Sequence, residues 1–177
     1  MIRITGGEFR SRLLETPSTT LTKPTMDKVR AAVFSALGDA VKNAHVLDLF
    51  AGSGSYGFEA LSRGAKSATF VDSSLEAVKL IKKNASNLKV ENYEVFNSDV
   101  LCFLSQNSQD FSVIFVDPPY KLEVYEEVVS KLVSNGFLSE NGIIVLESER
   151  ELNIDESMFK SVRFYKYGLA KVYILRK

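Results

Sequence analysis

Hydrophobic positions change their spacing repeatedly along the chain, and each change marks an element. From residue 45 onward, short apolar runs alternate with stretches at helical spacing. His45–Phe50, Ser67–Val71, Tyr93–Phe96, Ser112–Val116 and Gly142–Leu146 read as strands. Between them, Phe58–Arg63, Leu75–Leu88, a short stretch after Asp99 and Tyr125–Val133 read as helices. The second helix carries an apolar stripe at Leu75, Val78, Ile81 and Ala85. Phe159–Tyr165 and Lys171–Leu175 read as a last pair of strands, antiparallel because so little chain joins them. Strands almost continuous in Val, Ile, Leu and Phe, alternating with helices, imply a mostly parallel sheet covered on both faces. The expected fold class is therefore α/β, with a seven-stranded sheet and an antiparallel C-terminal strand.

Upstream the pattern differs. Residues 25–37 read as a helix with Thr25 as N-cap, Asp27 in the first turn, Val29, Ala32, Val33, Ala36 and Leu37 on one face, and Gly38 as its stop. Residues 1–24 lack periodicity. Ile2–Thr5 and Leu13–Thr16 read as short strands of a hairpin-like extension, and Pro17–Thr20 as a turn. The division expected is a small extension over 1–24 and one compact α/β domain over 25–177.

Composition adds constraints. A length of 177 residues suits one well-buried domain. The formal net charge is zero, so any contact with nucleic acid needs local positive charge. Residues 1–30 supply some: Arg3, Arg10, Arg12, Lys23, Lys28 and Arg30 outnumber Glu8, Glu15 and Asp27. Arg10 and Arg12 would share one face of a strand and suit phosphate contacts. The single cysteine, Cys102, excludes an internal disulfide, fits a reducing cytoplasm and reads as a small core residue. No apolar run is long enough to span a membrane, and the N-terminus lacks a secretory pattern. No His/Cys/carboxylate cluster suggests a metal, and His45 reads as structural.

Two loops carry candidate chemistry. Gly52-Ser53-Gly54-Ser55-Tyr56-Gly57 matches G-x-G-x-x-G between a strand and a helix, and Asp72 ends the next strand twenty positions after Gly52. By itself this turn would serve NAD, FAD or S-adenosylmethionine. Asp48, four residues before the first glycine, would repel a pyrophosphate and suit the ammonium of a methionine moiety, which favours S-adenosylmethionine. Asp99, in Asn97-Ser98-Asp99, would either accept from an adenine amine or cap the short helix after it. Phe50, Ser53, Ser73 and Ser98 complete the candidate cofactor set. The second loop, Asp117-Pro118-Pro119-Tyr120, ends the fourth strand of the alternating region. Its prolines fix φ and remove backbone donors. Asp117 and the Pro118 carbonyl would each accept an N–H of a planar exocyclic amine, and Tyr120 would stack on the base. Transfer would then rest on positioning and preorganised dipoles. If the glycine-turn strand neighbours the strand ending at Asp117, both loops open onto one crevice at a topological switch point.

Together Asp48–Gly54, Glu59–Ala65 and Asp117–Tyr120 resemble the RsmD family, as do Ile4–Leu13, Lys23–Arg30, Tyr167-Gly168 and Lys171–Tyr173. The N-terminal segments are the more discriminating part. The resemblance implies a Rossmann-like class I S-adenosylmethionine-dependent fold and methylation of the N2 amine of a guanine in 16S rRNA, guanine 966 in conventional rRNA numbering. It implies that the enzyme acts as a monomer on an assembling small ribosomal subunit, with Arg3, Arg10, Arg12, Lys23, Thr25 and Arg30 as candidate RNA contacts. Lys23, Tyr56 and Asp72 depart from the family's usual Arg, small or apolar residue, and larger acid. Two alternatives stand beside this reading: an adenine-N6 methyltransferase on RNA or DNA, and a non-catalytic S-adenosylmethionine- or RNA-binding assembly module.

Overall fold

The computed structural model describes residues 1–17, 24–106, 109–119 and 121–177. The N-terminal segment forms β1 (Ile2–Arg3) and β2 (Leu13–Leu14), which pair antiparallel. Helix α1 (Pro24–Leu37) leads into the main sheet. Its strands are β3 (His45–Leu49), β4 (Ser67–Asp72), β5 (Tyr93–Asn97), β6 (Phe111–Val116), β7 (Leu138–Ser148), β8 (Ser161–Tyr167) and β9 (Ala170–Arg176). Helices α2 (Ser55–Ser62), α3 (Leu75–Leu88), α4 (Val100–Gln106) and α5 (Tyr125–Ser134) form the crossovers.

The sheet order is β5-β4-β3-β6-β7-β9-β8, parallel except for β9, which runs antiparallel to both neighbours. Order reverses between β3 and β6, which pair with Leu49 opposite Val116. That is the switch point expected from the sequence, and it brings the two chemistry-bearing loops side by side. On one face, Val33 and Phe34 of α1, Phe58 of α2 and Ile81 of α3 pack against Val46, Phe70, Phe115 and Val145. On the other, Leu104 of α4 and Val128 and Leu132 of α5 pack against Leu47, Ile114 and Leu146. Each fully buried side chain of this size contributes about 1.5–3 kcal/mol. Among the described residues, no helix is long and apolar enough to cross a membrane.

Several local expectations are corrected. Helix α1 already includes Pro24, so Thr25 lies inside its first turn rather than capping it; proline suits that first turn because its missing N–H has no partner there. Helix α2 starts at Ser55, not Phe58, and takes in Gly57. A Cβ at Gly57 would stand 2.2 Å from a ring carbon of Phe70, so this glycine serves close helix–strand packing. Leu75 is 62% exposed: it opens α3 ahead of the buried stripe Ala77, Val78, Ile81, Asn84, Ala85 and Leu88. Cys102 is exposed, not a core residue. Arg10 lies in a turn before β2, so it does not share a strand face with Arg12.

The extension is bound tightly to the sheet domain. Ile2, Ile4 and Leu14 are buried in the same core as α1 and α2. Glu59 of α2, 0% exposed, accepts from Thr5 N (2.8 Å), Thr5 Oγ1 (2.7 Å), Gly6 N (2.9 Å), Arg30 Nε (3.3 Å) and Arg63 Nε (2.8 Å). Gly7, at φ +79°, lies where a Cβ would meet the Ser62 carbonyl at 1.8 Å, which requires glycine at this docking point.

Candidate active site

At the carboxyl ends of the parallel strands lies a cleft of about 1040 Å³. One wall holds Phe50, Gly52, Asp72, Ser73, Asp99 and Val100; the other holds Asp117, Pro118, Pro119, Glu147 and Ser148. Met26 and Val29 of α1, Leu122, and the β8–β9 turn from Tyr167 to Ala170 form its rim.

The glycine turn is arranged by internal acceptors. Asp48, 2% exposed, lies beneath it and accepts from Gly57 N at 2.9 Å. Asp72 accepts from Gly52 N at 2.8 Å and from Ser74 N at 2.9 Å. Gly54 N donates to the Ala51 carbonyl at 2.7 Å. All three glycine N–H groups are therefore already committed, two of them to the side-chain carboxyl groups of Asp72 and Asp48. A pyrophosphate cradle needs such donors free and anions absent. The donor set instead fits an adenosine ligand without phosphates: Asp72 borders the cleft as an acceptor for hydroxyls, and a Cβ on Gly52 (φ +56°) would meet nothing closer than the Phe50 carbonyl at 4.0 Å, so the turn opens onto the cleft. Burial pushes the Asp48 carboxyl up to about 8, against the Gly57 hydrogen bond and with added repulsion from Asp72. Ser53 is buried, and its carbonyl accepts from Asn84 Nδ2 at 3.0 Å, which places it behind the turn rather than on the cleft.

Asp99 caps α4, accepting from Cys102 N at 3.0 Å through Oδ1, and also lines the cleft; both roles weighed from the sequence are geometrically compatible. Ser98 lies next to it, half-buried, with its N–H on the Asp72 carbonyl at 3.1 Å. Asn97, which the sequence reading did not select, donates to the Asp72 and Ser73 carbonyls at 3.1 and 2.9 Å and holds the β4 loop in place.

Across the cleft, Asp117 follows β6 directly, beside Pro118, which is buried, and Pro119, which is exposed. The Pro119 carbonyl accepts from Leu122 N at 2.9 Å. Among the described residues, nothing donates to the Asp117 carboxylate or the Pro118 carbonyl. Burial, then the Glu147 and Asp48 carboxylates, push the Asp117 carboxyl well above the usual carboxylate range. Tyr120 and Lys23 lie outside the described residues, as does the side chain of Thr25.

Glu147 was not legible as a site residue. The strand read over Gly142–Leu146 extends to Ser148, and Glu147 lines the cleft next to Asp117. Its position, the polar residue closing an apolar strand, is the same signal that marked Asp72 and Asp117. Tyr56 Oη donates to Glu147 Oε2 at 2.5 Å. The Tyr56 ring is stacked on Phe115, with centroids 4.7 Å apart, and lies against Phe34.

The basic candidates divide. Arg3, Arg10 and Arg12 are exposed, with Arg12 Nη2 donating to the Asn87 carbonyl at 2.6 Å. Arg30 is 3% exposed. It pairs with Glu59 and with Asp27 (2.8 Å) and donates to the Arg3 carbonyl, so its guanidinium is used inside the molecule.

The family described as "Conserved hypothetical protein 95" matches residues 2–176. The ribosomal RNA small subunit methyltransferase D of Escherichia coli K12 is 40% identical over 150 residues, covering 85% of this chain and 76% of that protein. The chain belongs to the RsmD family. The solved structure of the E. coli protein yhhF superposes with a TM-score of 0.89 at 36% identity, covering 99% of this chain and 97% of that one. A Thermus thermophilus 16S rRNA N2 G1207 methyltransferase, solved with AdoMet and guanosine, shares the fold at TM-score 0.72 and 22% identity, covering 91% of this chain and 45% of its own. The RsmD-family fold here is the Rossmann-like class I fold of S-adenosylmethionine-dependent methyltransferases. Two of the segments that resemble the RsmD family, Ile4–Leu13 and Glu59–Ala65, face each other across the Glu59 junction.

Proposed function

We propose that this chain is a cytoplasmic, monomeric S-adenosylmethionine-dependent methyltransferase acting on 16S rRNA within an assembling small subunit, and that its acceptor is the exocyclic N2 amine of a guanine, guanine 966 in conventional numbering. One observation carries the reading. A turn whose glycine N–H groups are already spent on carboxyl groups and a carbonyl faces, across one cleft, a Pro-stiffened loop whose carboxylate and Pro118 carbonyl have no donor among the described residues. Similarity to the E. coli small-subunit rRNA methyltransferase D supports the rRNA substrate.

In this reading Asp72 holds the ribose hydroxyls, Asp99 the adenine amine, and Phe50, Gly52 and Ser73 the floor between them. S-adenosylmethionine supplies a sulfonium-activated methyl group and leaves as a neutral thioether. Asp117 and the Pro118 carbonyl accept the two N–H bonds of the base amine and aim its lone pair across the cleft, with Tyr120 stacking on the ring. The methylated amine must shed one proton. Asp117, in its ionised form, is placed to take that proton and pass it to water. The base must be unstacked to enter.

Mass-spectrometric mapping of rRNA from cells with and without the protein tests this. The expected difference is one N2-methylguanine in 16S rRNA. Loss of an N6-methyladenine instead would select the adenine alternative. Full methyl transfer by D117A would sink the catalytic role given to that carboxylate, whereas no transfer by wild-type protein that still binds S-adenosylhomocysteine would favour the binding-module alternative. Titration with S-adenosylhomocysteine and with NAD checks the cofactor assignment: binding of NAD alone would overturn it.

A further inference from the structure

Glu147 lies in β7 and Asp117 directly follows β6; the last paired residues of these adjacent parallel strands are Leu146 and Val116, so each carboxylate belongs to the next residue beyond that pair. Both line the cleft. In-register neighbours on parallel strands point to the same face of the sheet, which sets two carboxylates side by side.

The two oxygens of Glu147 differ. Oε2 takes the Tyr56 hydroxyl at 2.5 Å. Tyr56 is buried and fixed by its stacking on Phe115, and burial together with the nearby Glu147 and Asp117 charges pushes its phenol well above the ordinary tyrosine value. The phenol therefore keeps its proton and acts as the donor. Among the described residues, Oε1 has no hydrogen-bond partner and Glu147 is in no ion pair. The result is a half-buried acceptor, oriented from behind, next to the acceptor already assigned to the base amine. Burial pushes the Glu147 carboxyl up, while the Tyr56 hydrogen bond and the Arg30 charge pull it back toward the ionised form.

We propose that Glu147 determines base specificity, its Oε1 accepting the N1–H of the target guanine while Asp117 holds the adjacent N2 amine, and that Tyr56 is the residue positioning it. The proposal rests on the guanine reading above. Guanine presents two adjacent donors on this edge, N1–H and N2–H, and two side-by-side acceptors match them. Adenine presents a donor at N6 but a lone pair at N1, which a carboxylate oxygen would repel. A site built to accept a substrate N–H discriminates strongly against an analogue lacking it, because its buried acceptor is left unpaired.

The test uses small-subunit particles reconstituted on rRNA ligated to carry guanine or 2-aminopurine at the modified position. 2-Aminopurine keeps the N2 amine but has a lone pair in place of N1–H. Wild-type protein is expected to methylate guanine about 10- to 100-fold faster than 2-aminopurine, in kcat/KM. E147Q, whose amide can donate to that lone pair, is expected to bring the ratio within about threefold. Y56F, which leaves Glu147 unoriented, is expected to reduce the ratio in the same direction and serves as the test if E147Q does not fold. A variant that slows both bases by one factor overturns the proposal, as does a wild-type ratio near one. Wild-type transfer to adenine in place of guanine would sink the guanine reading itself, a result distinct from an unchanged base ratio.

Discussion

The Glu59 junction yields the most direct stability prediction. E59A removes the acceptor of five hydrogen bonds from Thr5, Gly6, Arg30 and Arg63. Their separate values do not add, because the donors form one network. Arg63 is partly exposed and can turn to water. Arg30 cannot, although it keeps Asp27 and the Arg3 carbonyl. Removing one partner of a buried ion pair costs about 3–5 kcal/mol. The retained Asp27 contact places E59A at the low end, about 3 kcal/mol. For a chain of this size that lowers the thermal midpoint by roughly 6–12 °C. Urea denaturation followed by circular dichroism is the assay, read with thermal melts, and the m-value should hold because the folded core is unchanged. A loss below about 1 kcal/mol would refute the junction as a structural tie and make Glu59 no more than a satisfied buried carboxylate.

Three further outcomes are expected. The raised Asp48 value means that the folded state binds a proton the unfolded chain releases near pH 4, so stability from this site is full below about pH 4 and is lost as pH rises through about 8. D48N keeps an acceptor for Gly57, so its urea midpoints at about pH 5 and about pH 9 should differ less than those of the wild-type protein; equal pH dependence would count against the burial account. G57A should cost about 1–3 kcal/mol in the same assay, because its methyl group would be driven into the Phe70 ring; a neutral result would mean the ring has room to move. If Arg3 and Arg10 contact phosphates, R3A/R10A should weaken rRNA binding in filter-binding titrations and reduce the log–log salt slope by about 1.4. An unchanged slope removes them from the interface.

Much of the fold was legible because period and punctuation agree. Leu75–Leu88 was read with the bounds observed: Ser74 caps the helix through a bond from Ala77 N, and Lys89 leaves it at φ +60°. The strand read over 142–146 fell short at both ends because Glu140-Asn141-Gly142 resembles a turn; the observed strand runs through it, with a register shift against β6. Asp72, Asp99 and Asp117, read as candidates because each ends a strand or opens a loop, line one cleft, whereas Asp48, read with them, lies inside β3 beneath the glycine turn. The misses are long-range. Nothing local says that Tyr56 reaches Glu147, 91 residues away. Arg30 reads as one more cation in a basic segment until Glu59, 29 positions on, is seen to hold it inside. Sequence pattern reports what a residue does to its own element, and these residues act on another.

The placement of β9 has a consequence for the order of assembly. This strand follows β8 in the chain yet lies between β7 and β8 in the sheet. During synthesis β8 emerges with no edge to join, and must wait, exposed, for the next seven-residue strand to be made and inserted. The same turn, Tyr167–Ala170, forms the rim of the cleft. The glycine turn and the Asp117 loop can therefore take shape on the growing chain well before the cleft is closed. Binding competence arrives as one of the last events of folding, and a chain stalled before Ala170 would carry the chemical groups without the pocket.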